Sequence, residues 1–163
     1  MRKKKRQKKA MCKIVIRRMQ MEDLPEVCVI EKDNFSLPWS AESFAESLEK
    51  DYTVFLTALA GGQVVGYVGC YCVGGEGEIT NVAVKESYRR MGIGGMLLEK
   101  LYEEGKTLGT EEFFLEVRES NEAAIGLYTR QGFVKEGIRK NFYEQPVENA
   151  VIMWKHFPLG INE

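Results

Sequence analysis

The stretch from Asn81 to Gly95 reads N-V-A-V-K-E-S-Y-R-R-M-G-I-G-G and concentrates residue types that can hold an anion. An apolar strand is expected to end at Val84. A polar turn carries Arg89 and Arg90, and Gly92, Gly94 and Gly95 open a helix that continues as Met96-Leu97-Leu98. Glycine lets the backbone approach a ligand closely and takes dihedrals closed to other residues. The first turn of a helix presents N–H groups without internal partners at the positive end of the helix dipole. Such an end suits phosphate, and arginines beside it add charge and forked donors. A Walker A loop is excluded, because no Lys-Ser or Lys-Thr follows the glycines. A dinucleotide fingerprint would need glycine at Leu97. What remains is the order Arg-x-x-Gly-x-Gly, whose plainer alternative is a glycine-softened helix start with a solvated arginine pair.

The elements that must position this loop follow from periodicity and punctuation. Cys12 to Arg18 alternates as a first strand, with Ile14 and Ile16 on one face. Glu22 to Phe35 reads as a helix, with Pro25 near its start. After the loop Ser36-Leu37-Pro38-Trp39-Ser40, Ser40 can cap a second helix from Ala41 to about Lys50. Strands follow at Thr53 to Ala60, Val64 to Val73 and Glu78 to Val84, separated by turns at Gly61-Gly62-Gln63 and Gly74-Gly75-Glu76-Gly77. The helix after the glycine loop places Ile93, Leu97, Leu101 and Leu108 on one apolar stripe, with Gly105 and Gly109 marking its end. Glu111 to Val117 is a fifth strand. Ser120 or Asn121 caps a short helix that ends at Gly132, and Asn121, Ile125 and Tyr128 share one of its faces. Phe133 to Ile138 and Ala150 to His156 are the last strands, joined by a polar loop from Arg139 to Asn149. A meander followed by alternating strands and helices gives an α/β domain with a mixed sheet.

Composition bounds the rest. The 163 residues fit one domain, and 44% hydrophobic content is ordinary for a globular protein. No apolar run approaches the ~20 residues of a membrane span, so a membrane role is not expected. The basic N-terminus is not followed by an apolar segment, so no secretory signal is expected either. Cys12, Cys28, Cys70 and Cys72 form no C-x-x-C pair, and with the single histidine His156 no metal site is expected. The cysteines read as reduced and the protein as cytoplasmic. Residues 1–10 hold seven basic residues and no acidic one. Removing those seven from the 23 basic residues leaves 16 against 24 acidic ones, a net of −8 for the body. The tail reads as disordered and as the only part suited to nucleic acid or ribosome. The duller reading, slightly favoured, is that Met11 is the true start, with the folded domain running over residues 11–163.

The block Leu115-Glu116-Val117-Arg118-Glu119-Ser120-Asn121, continued by Ala124-Ile125-Gly126-Leu127-Tyr128 and Gly132-Phe133, resembles the GNAT family of N-acetyltransferases. Within that family it is similar to the RimI-type ribosomal-protein alanine N-acetyltransferases. The Arg-x-x-Gly-x-Gly order resembles that family's acetyl-CoA loop. Pro38-Trp39-Ser40 and the pattern of Arg139, Asn141 and Tyr143 are also similar to the subgroup, although Phe142 stands where some members carry tyrosine. The resemblance spans roughly Ile14 to Trp154. It implies a mixed, mostly antiparallel sheet of six to seven strands flanked by about four helices. It implies acetyl-CoA as co-substrate, with the backbone of Val82, Ala83 and Val84 against the pantetheine arm. Arg90, Met91, Gly92, Ile93, Gly94 and Gly95 would wrap the pyrophosphate, and Asn121 would bond the pantetheine. It also implies Glu116 as general base and Tyr128 as general acid, with Trp39, Arg139 and Tyr143 holding a peptide.

That chemistry makes physical sense. An ammonium cannot attack a thioester. A free α-amine has a pKa of ~8 against ~10.4 for lysine, so it needs only modest help from a base. A carboxylate raised by burial can give that help, and a phenol can protonate a leaving thiolate. Each residue has a plainer alternative: Glu116 as a solvated strand residue, Tyr128 as a core tyrosine with its hydroxyl at the rim, Trp39 as a lid over the core. Three functions compete. The first is acetyl transfer to the N-terminus of a ribosomal protein, alanine foremost, by a monomer. The second is the same chemistry on lysine or a small amine. The third is a non-catalytic CoA-binding or ribosome-associated module, which the pair Glu116 and Tyr128 argues against.

Overall fold

The computed structural model describes residues 13–157. The basic tail, the alternative start at Met11 and Cys12 lie outside the described residues. Seven strands form one sheet in the order β1-β2-β3-β4-β5-β7-β6, with four α-helices around it. The strands are β1 (Ile14–Arg18), β2 (Thr53–Ala60), β3 (Gln63–Val73), β4 (Glu76–Val84), β5 (Glu112–Arg118), β6 (Val134–Glu144) and β7 (Val147–His156). The helices are α1 (Leu24–Asn34), α2 (Ala41–Leu48), α3 (Ile93–Thr107) and α4 (Glu122–Arg130). All strand pairs are antiparallel except β4 with β5, so the expected mixed sheet is found.

Each sheet face carries its own core. Leu97, Leu98 and Leu101 of α3 and Tyr128 of α4 pack with Val68, Phe113, Leu115 and Met153 on one face. On the other, Val27 and Ile30 of α1 and Phe44 of α2 pack with Phe55, Tyr67 and Ala83. Ser40 caps α2 as expected, its hydroxyl accepting from the Ser43 N–H at 3.1 Å. Of the two expected caps for α4 the structure uses Asn121, which accepts from the Ala124 N–H at 3.1 Å.

Four expectations change. A 3-10 turn over Met21–Asp23 precedes α1, because the Asp23 carboxylate folds back to accept from the Gln20 N–H at 2.8 Å and from Arg17. Leu108 leaves the apolar stripe: it stands beyond the end of α3 and is 40% exposed. Gly105 does not end the helix but lies within it, where an added Cβ would come 2.7 Å from the Phe113 ring. The polar loop from Arg139 to Asn149 is absent. β6 and β7 extend through it as a hairpin turning at Gln145 and the cis-bonded Pro146, and their pairing lapses between Arg139 and Tyr143. β6 is an edge strand with mostly exposed side chains, so it carries no apolar alternation to read.

Two irregularities prepare the site. Thr80 is an extra residue on β4: Asn81 pairs with Gly69 while Ile79 pairs with Cys70. A bulge of this kind reverses the alternation of side chains beyond it. Ile79 therefore packs with α3 and α4, whereas Asn81 and Ala83 turn toward α1. β4 and β5 pair from Glu76 to Ile79 and from Glu112 to Leu115, and then part.

Glu31 of α1 is buried where Asn81 arrives. Its carboxylate accepts from the Tyr67 hydroxyl, from the Asn81 amide at 3.2 Å and from the Trp39 backbone N–H at 3.1 Å. One acid thus ties α1 to β3, to β4 and to the loop before α2. Glu31→Leu strands three donors in the interior and should lower stability by roughly 3 kcal/mol. Urea unfolding will show this as an earlier midpoint with an unchanged slope, while a midpoint that stays put would mean the donors find other partners.

Candidate active site

Beyond Ile79 the β4 backbone has no strand partner on its β5 side. Buried backbone groups demand partners, so this edge is open to a ligand that can pair with it. Val82, Ala83 and Val84 line a cleft of about 510 Å³ there. The N-terminal turn of α3 closes one end through Arg90, Gly92, Ile93, Gly94 and Gly95, and α4 supplies the opposite wall through Asn121, Ala124, Leu127 and Tyr128. Nine of the ten residues expected to hold acetyl-CoA meet in this one cleft. Met91 does not line it and is part-exposed on the turn.

The glycines have reasons that sequence could not separate. Gly92 precedes α3 with φ 78°, a left-handed conformation that an L side chain strains to adopt. Gly94 lies against α4, where an added Cβ would stand 2.9 Å from a Leu127 methyl. The N-terminus of α3 is thereby aimed into the cleft at close range to α4, and its first-turn N–H groups suit an anion. Arg90 lines the cleft with φ 62°. Arg89 donates to the Asn34 side-chain amide oxygen at 2.7 Å and to the Val84 backbone carbonyl at 3.3 Å, which pins the turn to α1. Sequence reading passed over Asn34, Tyr88 and Leu127 as cleft residues. Leu127 could have been found from its place one residue before Tyr128 on α4. Asn34 and Tyr88 carried no local signal.

Glu116 alternates with the buried Leu115 and Val117, so it points to the face of β5 opposite α4. It is neither a solvated residue nor a cleft-lining one. Its side chain is 18% exposed and pairs with Arg139 of β6 at 3.1 Å. Burial pushes its pKa up, the Arg139 guanidinium draws it down, and the charge of Glu78 pushes it up again; the net direction is upward. Tyr143 belongs to the same group. Burial and the Glu116 charge push its phenol up to about 12. Its ring lies under the Arg118 guanidinium, 4.3 Å from the ring centroid. Arg118 in turn donates to the Gln145 and Pro146 carbonyls and pairs with Glu148 at 3.3 Å, so it clasps the β6–β7 turn. Two residues from Glu116 on one strand means the same face, a signal by which Arg118 could have been found.

Tyr128 sits on the other side. It is buried against Phe133, and burial, with Tyr143 adding to it, holds its phenol above the ordinary range. No hydrogen bond joins it to Glu116 among the described residues. Tyr128 lines the cleft on one side of the sheet, and Glu116 lies on the other side, on β5 one residue past its last pairing with β4. Trp39 does not line the α4-side cleft. Its ring packs on Phe44 and Phe55 at 5.3 and 6.1 Å, as a cover for the second core. Among the described residues no group of three His, Cys, Asp or Glu is placed to hold a metal ion.

The model of the Acetyltransferase (GNAT) family matches residues 24–133, which contain both parted strands and the glycine turn. The chain belongs to the GNAT family of acetyltransferases. An Escherichia coli ribosomal protein bS18-alanine N-acetyltransferase is 36% identical over 137 residues, covering 83% of this GNAT chain and 92% of its own length. A Bacillus subtilis relative, to which the same activity is provisionally ascribed, is 39% identical over 143 residues, covering 87% and 95%. The crystal structure of the ribosomal-protein-S18-alanine N-acetyltransferase from Escherichia coli superposes with a TM-score of 0.82 at 32% identity, over 93% of this chain and 99% of that one.

The Glu116–Arg139 pair gives a direct electrostatic test. Arg139 lowers the carboxyl pKa, so Arg139→Gln removes that influence and the Glu116 titration should move to higher pH. NMR of the Glu116 carboxyl carbon in the two proteins will measure it. An unchanged midpoint would mean that the pair is solvent-screened and does not tune the acid.

Proposed function

We propose that this chain transfers the acetyl group of acetyl-CoA to the N-terminal α-amine of a protein in the cytoplasm, the terminal alanine of a small-subunit ribosomal protein foremost. One observation carries the reading. A half-buried carboxylate of raised pKa, Glu116, lies one residue beyond the last β4–β5 pair, on the sheet face opposite the cleft at the α3 N-terminus. A donor that needs an anion site and an acceptor that needs a base can therefore enter from opposite faces. The named activity of the Escherichia coli relative supports the same substrate.

Acetyl-CoA supplies an activated acyl group and an anionic pyrophosphate. Gly92, Gly94 and the α3 N-terminus bind that anion, with Arg90 adding charge. The free edge of Val82 to Val84 offers backbone donors and acceptors to the pantetheine amides, and Asn121 lies within the same wall. On the other face Glu116 takes a proton from the peptide's ammonium and frees its lone pair for the thioester carbonyl. The amine nitrogen forms a bond to the acyl carbon as the carbon–sulfur bond breaks. Tyr128, a phenol and so protonated at neutral pH, gives its proton to the departing sulfur, and the second proton shed by the new amide nitrogen restores the phenol. Arg139 holds the Glu116 carboxylate in place while it is charged. Tyr143 and Arg118 shape the peptide side, where Tyr143 is the rival proton donor. Trp39, held by Glu31, sets the wall on the α1–α2 side.

Glu116→Gln should lower kcat on the order of 10²-fold, with the largest deficit at low pH, where the amine most needs a base. Tyr128→Phe should lower kcat while leaving acetyl-CoA affinity nearly unchanged, since it removes an interaction made in the transition state. Tyr143→Phe run beside it separates the two phenols. A larger kcat loss at Tyr143 would move the acid to the hairpin.

The choice of amine is tested with one alanine-starting peptide carrying an internal lysine, its N-terminus either free or blocked. Mass spectrometry should find one acetyl group on the α-amine of the free peptide and none on the blocked one. Undiminished transfer to the lysine of the blocked peptide would replace this function with a lysine acetyltransferase.

A further inference from the structure

Among the described residues, the sheet face that bears Glu116 continues past it without a helix to cover it. α1 and α2 pack chiefly on β2, β3 and β4. On β5, Glu112 and Phe114 share the Glu116 face by alternation. Register places Trp154 opposite Phe114 and His156 opposite Glu112 on β7, and Glu78 and Glu76 beside the same two residues on β4. Phe114 and Trp154 stack at 4.7 Å, and Trp154 and His156 lie parallel at 5.6 Å. The three rings thus stack in series, with Trp154 in the middle, as a part-exposed aromatic shelf. Glu112 and Glu136 hold the two imidazole nitrogens at 3.1 and 2.6 Å. Glu76 and Glu78 make no ion pair among the described residues. An aromatic shelf rimmed by carboxylates, continuous with the base of the active site, is an unusual surface to leave open.

We propose that this shelf holds the downstream residues of the acetylated peptide and selects basic side chains there. The inference rests on the function argued above, because it needs the peptide's amine at Glu116. Geometry sets the reach. A strand rises ~3.3 Å per residue, so Phe114 and Glu112 lie about 7 and 13 Å along β5 from Glu116. An extended peptide with its amine at Glu116 brings side chains of about its third to fifth residues over the rings. A guanidinium or ammonium beside this stack gains from the electron-rich rings, and its donors reach the carboxylates at the rim. The acidic body, net −8 without the tail, draws such a peptide from a distance. A second copy of the chain is a poor occupant, because it would bring the same glutamates against these.

The test uses the full chain and two eight-residue peptides with identical first two residues, alanine first. From the third residue on, one carries arginine and lysine and the other serine and glutamine. The wild-type kcat/KM should favour the basic peptide about tenfold at low ionic strength, and the ratio should fall toward unity as salt screens it. Trp154→Ser, and separately Glu76→Lys with Glu112→Lys, should bring the low-salt ratio to within about twofold. Each variant's rate on the neutral peptide is its own reference, so a general loss of folded enzyme cancels from the ratio. Equal wild-type rates on both peptides, or a tenfold preference surviving in both variants, would overturn the shelf while leaving N-terminal acetylation standing. Transfer to neither α-amine would instead defeat the function and the shelf with it. A sedimenting wild-type dimer that Trp154→Ser converts to monomer would assign the face to self-association and overturn the proposal.

Discussion

The parting of β4 and β5 after Ile79 and Leu115 is the constraint on which the rest of the structure depends. A sheet does not leave backbone donors and acceptors open in its middle without a partner to come, because an unpaired buried group costs as much as a lost hydrogen bond. Here the gap is framed by an extra residue, Thr80, which switches the faces of the side chains that follow. Val82 and Val84 then support the core on the α3 side, while Asn81 and Ala83 engage α1. The cleft at the N-terminus of α3 lies on one face of the sheet beside this gap, and Glu116 lies on the other.

Two polar clasps hold the irregular segments that border the gap. Glu31 gathers Tyr67, Asn81 and the Trp39 N–H in the interior, so the loop before α2 is tied to the bulged strand itself. Arg118 gathers the Gln145 and Pro146 carbonyls, Glu148 and the Tyr143 ring, so the β6–β7 turn is tied to the strand that carries Glu116. Loops are otherwise the mobile part of a fold. Each segment is thereby fastened to one of the two parted strands. Arg139 faces Glu116 and tempers the rise that burial imposes on that acid.

The sequence by itself determined most of the architecture, because its signals are local. Alternation marked the central strands, Ser40 and Asn121 marked helix starts through their own side chains, and glycines at positive φ marked turns at Gly61, Gly74 and Gly132. The cleft residues were legible for the same reason: Val82 to Gly95 is one continuous stretch whose strand, turn and helix each follow from nearest neighbours. The tertiary structure alone decided whatever needs two distant segments. β6 is an exposed edge strand, so Phe133 to Ile138 was legible as strand while the part beyond Ile138 had no apolar period and read as loop. Gly94 required the position of Leu127, Glu31 required Asn81 50 residues away, and Trp39 lay over Phe44 and Phe55 once α2 had folded back. The ring shelf beyond Glu116 exists only because pairing sets Phe114 beside Trp154. Side-chain period and capping are written in the chain; register, bulges and burial of charge arise from the sum of all packing contacts and appear only when the sheet is assembled.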